Sequence, residues 1–277
     1  MEGILKMGEI IELLSYSFIQ RALISGIAIS FCAAIIGVIL VLKNYSMIGH
    51  GLGEVGFASI ALALALGLPP LSISIPIVII ASIIIMIISQ KQGEKGDVTI
   101  ALVASVALAI GVIITALTSG FGVDVSNYMF GSVLAMTTGD VILSIILSII
   151  LIAVYVIFYN RLFMITYDEK YAKSRGINVT FYQMLIAVVT GLVAVLGMRM
   201  MGTLLISSLI IFPAIISKKL TKSFKGLMML SCTVSIICFI LGLLVSFFLN
   251  LPTGASIVMV YILLFIITNI YTKIFKI

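Results

Sequence analysis

The chain has 277 residues, 62% of them hydrophobic and 9% charged, with a mean hydropathy of +1.37 and a formal net charge of +6. Those values lie outside the range of soluble globular domains and of disordered charged segments, and they place the chain in a membrane. Its apolar runs are about twenty residues long, enough to cross a hydrocarbon core of about 30 Å as helices. Lipid admits only helices or closed barrels, and the strict apolar/polar alternation of barrel strands is missing, so the expected fold is an all-α, polytopic transmembrane helix bundle.

Residues 1–15 carry no small-residue cleavage site of a signal peptide and are expected to form an interfacial helix. Nine spans follow, at 16–42, 51–68, 71–90, 98–119, 139–159, 180–198, 201–217, 226–249 and 255–272. The sixth and seventh are separated by no proper loop. Residues 180–217 as one helix would be about 57 Å long, so a break around Gly197 to Gly202 is required. With the N-terminus outside and the C-terminus inside, thirteen of the sixteen Lys and Arg fall on the inner side, against Lys6, Arg21 and Arg199 outside. Asp124 falls in the outer segment before the fifth span and Asp140 at that span's outer end. This bias accounts for the net charge without nucleic-acid binding. Cys32, Cys232 and Cys238 lie inside apolar spans, where they read as small hydrophobes.

The second span carries the only histidine, His50, four residues before Glu54. That spacing sets both on one helical face, from which an imidazole nitrogen and a carboxylate oxygen can converge on a divalent cation. A buried acid costs about 2.5–3.5 kcal/mol on insertion scales, so something must offset it. Two readings stay open. Glu54 could bond His50 or pair with Lys43 and merely tie the first span to the second, while Gly49, Gly51, Gly53 and Gly56 serve close packing. Alternatively the pair marks an ion path, as intramembrane ionisable residues usually do.

Hydrolytic chemistry finds no support: HExxH, GxSxG and a second histidine are all absent. There is no GxxxxGK[ST] sequence, so any ATP used would be bound by another subunit. The longest inner segment, around 160–178, holds Asp168 and Glu169, then Lys170, Lys173 and Arg175, and then Gly176. The charges follow the helix-dipole preference and the glycine suits a C-cap, which predicts a short helix, lying on the membrane or docking a soluble partner.

Several runs together make the sequence resemble the membrane permeases of bacterial ABC importers for zinc, manganese and iron. They are "KNYSMIGHGLGE" at 43–54, Asp97 before "VTI", "FGSVLAM" at 130–136, "YDEKYAKSRGINV" at 167–179, "GTLLISSLIIFPA" at 202–214 and "LPTGASIV" at 251–258. Family members carry Asp then His where this chain has His50 then Glu54, so the ligand types are exchanged and glutamate replaces aspartate. The resemblance implies one permease domain over 16–277 in the bacterial plasma membrane, a homodimer, and cargo rather than a resident cofactor. The cargo would be a divalent metal, zinc before manganese or iron, held by His50 and Glu54. It further implies partners: ABC ATPase subunits engaging about 167–178 through Asp168, Glu169, Ala172 and Gly176, and an external metal-binding protein. The chain itself would be a transport subunit, not an enzyme. A stand-alone secondary carrier is the competing reading.

Overall fold

The computed structural model describes residues 16–92, 96–118 and 137–275. The expected interfacial helix over 1–15, Asp124 and the run at 130–136 lie outside the described residues, as do Lys6, Lys95 and Lys276.

Ten helices run through the described residues, and nine of them are long and apolar enough to cross a membrane. They are α1 (Ser17–Leu42), α2 (Met47–Ala65), α3 (Pro70–Gln92), α4 (Gly96–Leu117), α5 (Thr138–Tyr167), the short α6 (Glu169–Ser174), α7 (Val179–Met201), α8 (Thr203–Leu220), α9 (Phe224–Leu249) and α10 (Thr253–Phe275). The boundaries follow local chemistry. Asn44, at φ 58°, turns the chain after α1, a left-handed conformation that asparagine tolerates. Gly67, at φ 66°, closes α2 with Leu68 N–H donating to the Ala63 carbonyl, and Pro70 opens α3. Thr137 and Asp140 form a reciprocal capping box at the start of α5.

Two boundaries differ from those expected by more than three residues. α2 begins at Met47 rather than 51, because Ile48 N–H already bonds to the Tyr45 carbonyl, so His50 and Glu54 lie one and two turns inside the helix. α5 runs on to Tyr167 rather than stopping at 159, since Asn160 and Arg161 continue the helix; Arg161 is anchored by its hydrogen bond to the Tyr182 hydroxyl.

The break between the sixth and seventh spans falls at Gly202, whose φ of 86° and ψ of 160° suit glycine alone. The chain reverses there, with α7 ending at Met201 and α8 starting at Thr203. Both ends of the bundle carry a cross-link. Arg199 Nη1 lies 3.1 Å from Asp140 Oδ1, which places these two residues together on the side assigned as outer. Lys43 pairs with Glu169 at the opposite end.

The core is made by α1, α2, α7 and α8, whereas α3, α4, α5 and α10 keep most of their surface outward. In lipid, helix association depends on close van der Waals approach rather than on a hydrophobic drive. Gly37 shows how close: a Cβ there would sit 1.9 Å from the Ile210 carbonyl oxygen of α8. Hydroxyls add cross-helix bonds, Ser235 Oγ donating to the Ser30 carbonyl at 2.9 Å and Tyr261 Oη to the Ser235 carbonyl at 3.1 Å. Cys32 contacts Ser148 Oγ and all three cysteines are free, in keeping with their reading as small hydrophobes.

Candidate functional site

α2 is the central helix, packed against α3, α4, α7 and α8. Its glycines are the reason it fits. A Cβ at Gly49 would press on Ile210 of α8, one at Gly51 on Ile100 of α4 and one at Gly56 on Met198 of α7, each nearer than 3 Å. These glycines therefore serve packing, as one of the two readings held. Gly53 differs, since a Cβ there would only reach ordinary contact with Thr203 at 3.6 Å.

Those contacts orient the helix. Gly49 and Gly53 point to α8, while Gly51 points to α4, and Gly111 of α4 faces Phe57 and Ala58. At about 100° per residue, His50 and Glu54 fall in the sector between the α8 and α4 contacts, away from α7. Exposure agrees with that placement. The His50 side chain is 43% exposed, on a helix whose first four turns are otherwise almost wholly covered. On α8, Leu204, Ser207, Ser208 and Ile211 are the open positions of its first half. Wheel geometry turns this stripe to the same side as His50, because the two helices run antiparallel and meet at Thr203 and Ile210. The helices α4, α2 and α8 thus share an open wall with His50 and Glu54 at its centre.

Within that wall His50 Nδ1 lies 4.0 Å from Glu54 Oε1, too far for a hydrogen bond. Glu54 is 9% exposed, and its Oε2 is buried without a hydrogen-bond partner. The packing reading required Glu54 to be bonded to His50 or paired with Lys43. The hydrogen bond to His50 is not made, which leaves the two at ion-pair distance, and Lys43 is committed to Glu169 and to the Ile165 carbonyl at 3.3 Å. A buried carboxylate oxygen left in this state costs free energy. Among the described residues, no third His, Cys, Asp or Glu joins the pair, so one copy offers two ligands. Ser207 and Ser208, whose hydroxyls both donate to the Leu204 carbonyl at 3.0 Å, keep lone pairs on the open wall. In the sequence their signal is two adjacent hydroxyls in an apolar span.

At the end assigned as inner, Asp168 caps α6 by accepting from Tyr171 N–H at 2.9 Å, and Gly176, at φ 75°, closes it. The closing bonds, from Gly176 N–H to the Lys173 carbonyl and from Ile177 N–H to the Ala172 carbonyl, are those of a Schellman motif. The expected short helix is therefore present. Ala172 is fully buried beneath it and Glu169, partly exposed, reaches back to Lys43, while Lys170, Tyr171, Lys173, Ser174 and Arg175 face outward.

A profile of the ABC 3 transport family matches residues 15–272. The chain belongs to the ABC 3 transport family. It is 28% identical to the manganese transport system membrane protein MntC of Listeria monocytogenes, over 94% of this chain and 92% of that one. It is 30% identical to the manganese import system permease protein ScaB of Streptococcus gordonii, covering 91% of each. The high-affinity zinc uptake system membrane protein ZnuB of Buchnera aphidicola is 23% identical over 92% of this chain and 98% of its own. Among solved structures, PsaBC from Streptococcus pneumoniae in complex with Fab matches with a TM-score of 0.83 at 28% identity, covering 95% of each chain. This chain is accordingly a multi-pass plasma-membrane permease of the metal-cation ABC type, and ATP hydrolysis resides in a separate subunit.

Proposed function

We propose that this permease imports a divalent transition metal through a homodimer interface built on the open α4, α2 and α8 wall, with His50 and Glu54 as a transient relay site. The observation that carries this reading is the buried, unpartnered Glu54 Oε2 beside a half-exposed imidazole on that wall. Two ligands per copy become two imidazoles and two carboxylates across a two-fold axis, a four-ligand set suited to Zn²⁺ or Mn²⁺. Binding must be weak enough to release the ion inward. An external metal-binding protein delivers the ion to the outer end, and ATPase subunits dock on α6 from inside.

The relatives weigh toward manganese, which the more similar ones are named for. Zinc is the second reading, favoured by the imidazole donors, since a given site binds Zn²⁺ more tightly than Mn²⁺. Uptake of each metal, measured separately in cells lacking their own importers, distinguishes the two. The double replacement His50→Asp with Glu54→His restores the family order on the same helical face and is expected to keep at least partial metal uptake. Complete loss, with normal amounts of protein in the membrane, would show that the exchanged order is tuned to a cargo outside this class.

A further inference from the structure

We propose that Lys43 and Glu169 form a latch that makes α6 move as one piece with the amino-terminal end of α2, delivering a displacement of α6 to His50. The inference rests on the reading above that an ATPase docks on α6.

The latch is a three-way junction. Lys43, the residue that ends α1, has a side chain only 4% exposed, and its ammonium is held by Glu169 Oε1 and by the Ile165 carbonyl of α5 at 3.3 Å. The same carboxylate oxygen accepts from Gln183 Nε2 of α7 at 2.8 Å, and Gln183 is itself buried. One oxygen thus joins the α1 corner, α6 and α7. Tyr45 packs beside it, its ring 5.9 Å from the ammonium. Burial, and then the Glu169 carboxylate, push the Tyr45 phenol above its usual range.

The segments on either side of the junction have little slack. α6 has six residues, too few for a helix to stand by itself, and it is held by its two caps, by buried Ala172 and by Glu169. Between Lys43 and α2 the chain makes a tight corner, with Tyr45 N–H bonded to the Leu40 carbonyl at 2.8 Å and Ile48 N–H to the Tyr45 carbonyl at 3.1 Å. His50 follows within the first turn of α2. A push on α6 therefore reaches the start of α2 through a charged contact and a stiff turn.

Stability alone does not account for an ion pair here. The Lys43 side chain is buried but that of Glu169 is 38% exposed, so solvent screens the pair and it adds little to stability, whereas a pair at a joint fixes one geometry between two elements. Lys43 and Glu169 are positioning residues on this account, acting on the metal site through α2.

The test uses the complete transporter, purified with its own ATPase and reconstituted in vesicles, with Mn²⁺ as the probe and uptake and ATP hydrolysis followed in parallel. In Lys43→Met, hydrolysis continues while Mn²⁺ moved per ATP falls about fivefold, the scale of losing a hydrogen-bonded charge pair with one partner partly exposed. Glu169→Gln, which keeps the shape and both hydrogen bonds but removes the charge, lowers the same ratio by less, and the double variant is no worse than the poorer single because both act on one charge pair. An unchanged ratio in both single variants overturns the latch. So does a parallel fall of uptake and hydrolysis with the amount of folded protein, which would make the contact a plain structural staple. If the wild-type chain retains no ATPase and its uptake is independent of ATP, the docking reading itself fails and takes the latch with it.

Discussion

Glu54→Gln is expected to abolish metal uptake while leaving the permease at normal levels in the membrane. The substitution keeps side-chain volume and removes the charge, so packing against α4 and α8 is preserved. Glutamine relieves the burial cost of an acid, and the fold is predicted to be as stable as the parent or more so. Function should respond in the opposite direction. Second-shell partners of metal ligands are typically worth about 10- to 100-fold in affinity, and a direct carboxylate ligand, present twice in the dimer, should be worth at least that. Measurement of Mn²⁺ and Zn²⁺ uptake alongside membrane abundance checks both halves. Normal uptake in this variant would return His50 and Glu54 to a packing role.

The largest effect on folding is expected at Gly37. Any side chain there meets backbone, since a Cβ would lie 1.9 Å from the Ile210 carbonyl oxygen and 2.8 Å from its carbon. Backbone cannot rotate aside as a flexible side chain can. Gly37→Leu should therefore exceed the ~1–3 kcal/mol usual for overpacking and should separate α1 from α8. The expected result is little or no monodisperse protein after detergent extraction and a sharply lowered melting temperature in what remains. Gly53→Ala serves as the contrast, because the new methyl reaches only ordinary contact with Thr203, and alanine favours the helix by roughly 1 kcal/mol. Its melting temperature should be unchanged or raised. If Gly37→Leu melts like the parent, the close α1 to α8 approach is wrong.

The sequence makes some of this architecture legible because the bilayer imposes lengths. Nine spans, the forced reversal near Gly202 and the placement of Arg199 and Asp140 on one side all follow from thickness and charge bias, and the ion pair between those two agrees. The short helix α6 was legible from Asp168 at its start and Gly176 at its end, since caps are local chemistry. What escaped is what depends on neighbours distant in the chain. Lys43 and Glu169 are separated by 126 residues, and without that contact a pairing of Lys43 with Glu54 looked equally reasonable. The open wall escaped for a different reason. In water a buried face is apolar and an exposed face polar, but in lipid both are apolar, so periodicity does not say which way a helix turns. Only the glycine contacts of α2 fix the sector that holds His50 and Glu54, and only then do Ser207 and Ser208 stand out as polar groups beside it.

X-ray absorption at the metal edge, on the purified transporter loaded with Mn²⁺ or Zn²⁺, tests the proposed ion site most directly. Imidazole nitrogen and carboxylate oxygen scatterers are expected at about 2.0–2.2 Å, with the imidazole contribution lost in His50→Ala and the bound metal lost in Glu54→Gln. A bound ion whose coordination is the same in the parent and in both variants would contradict the site.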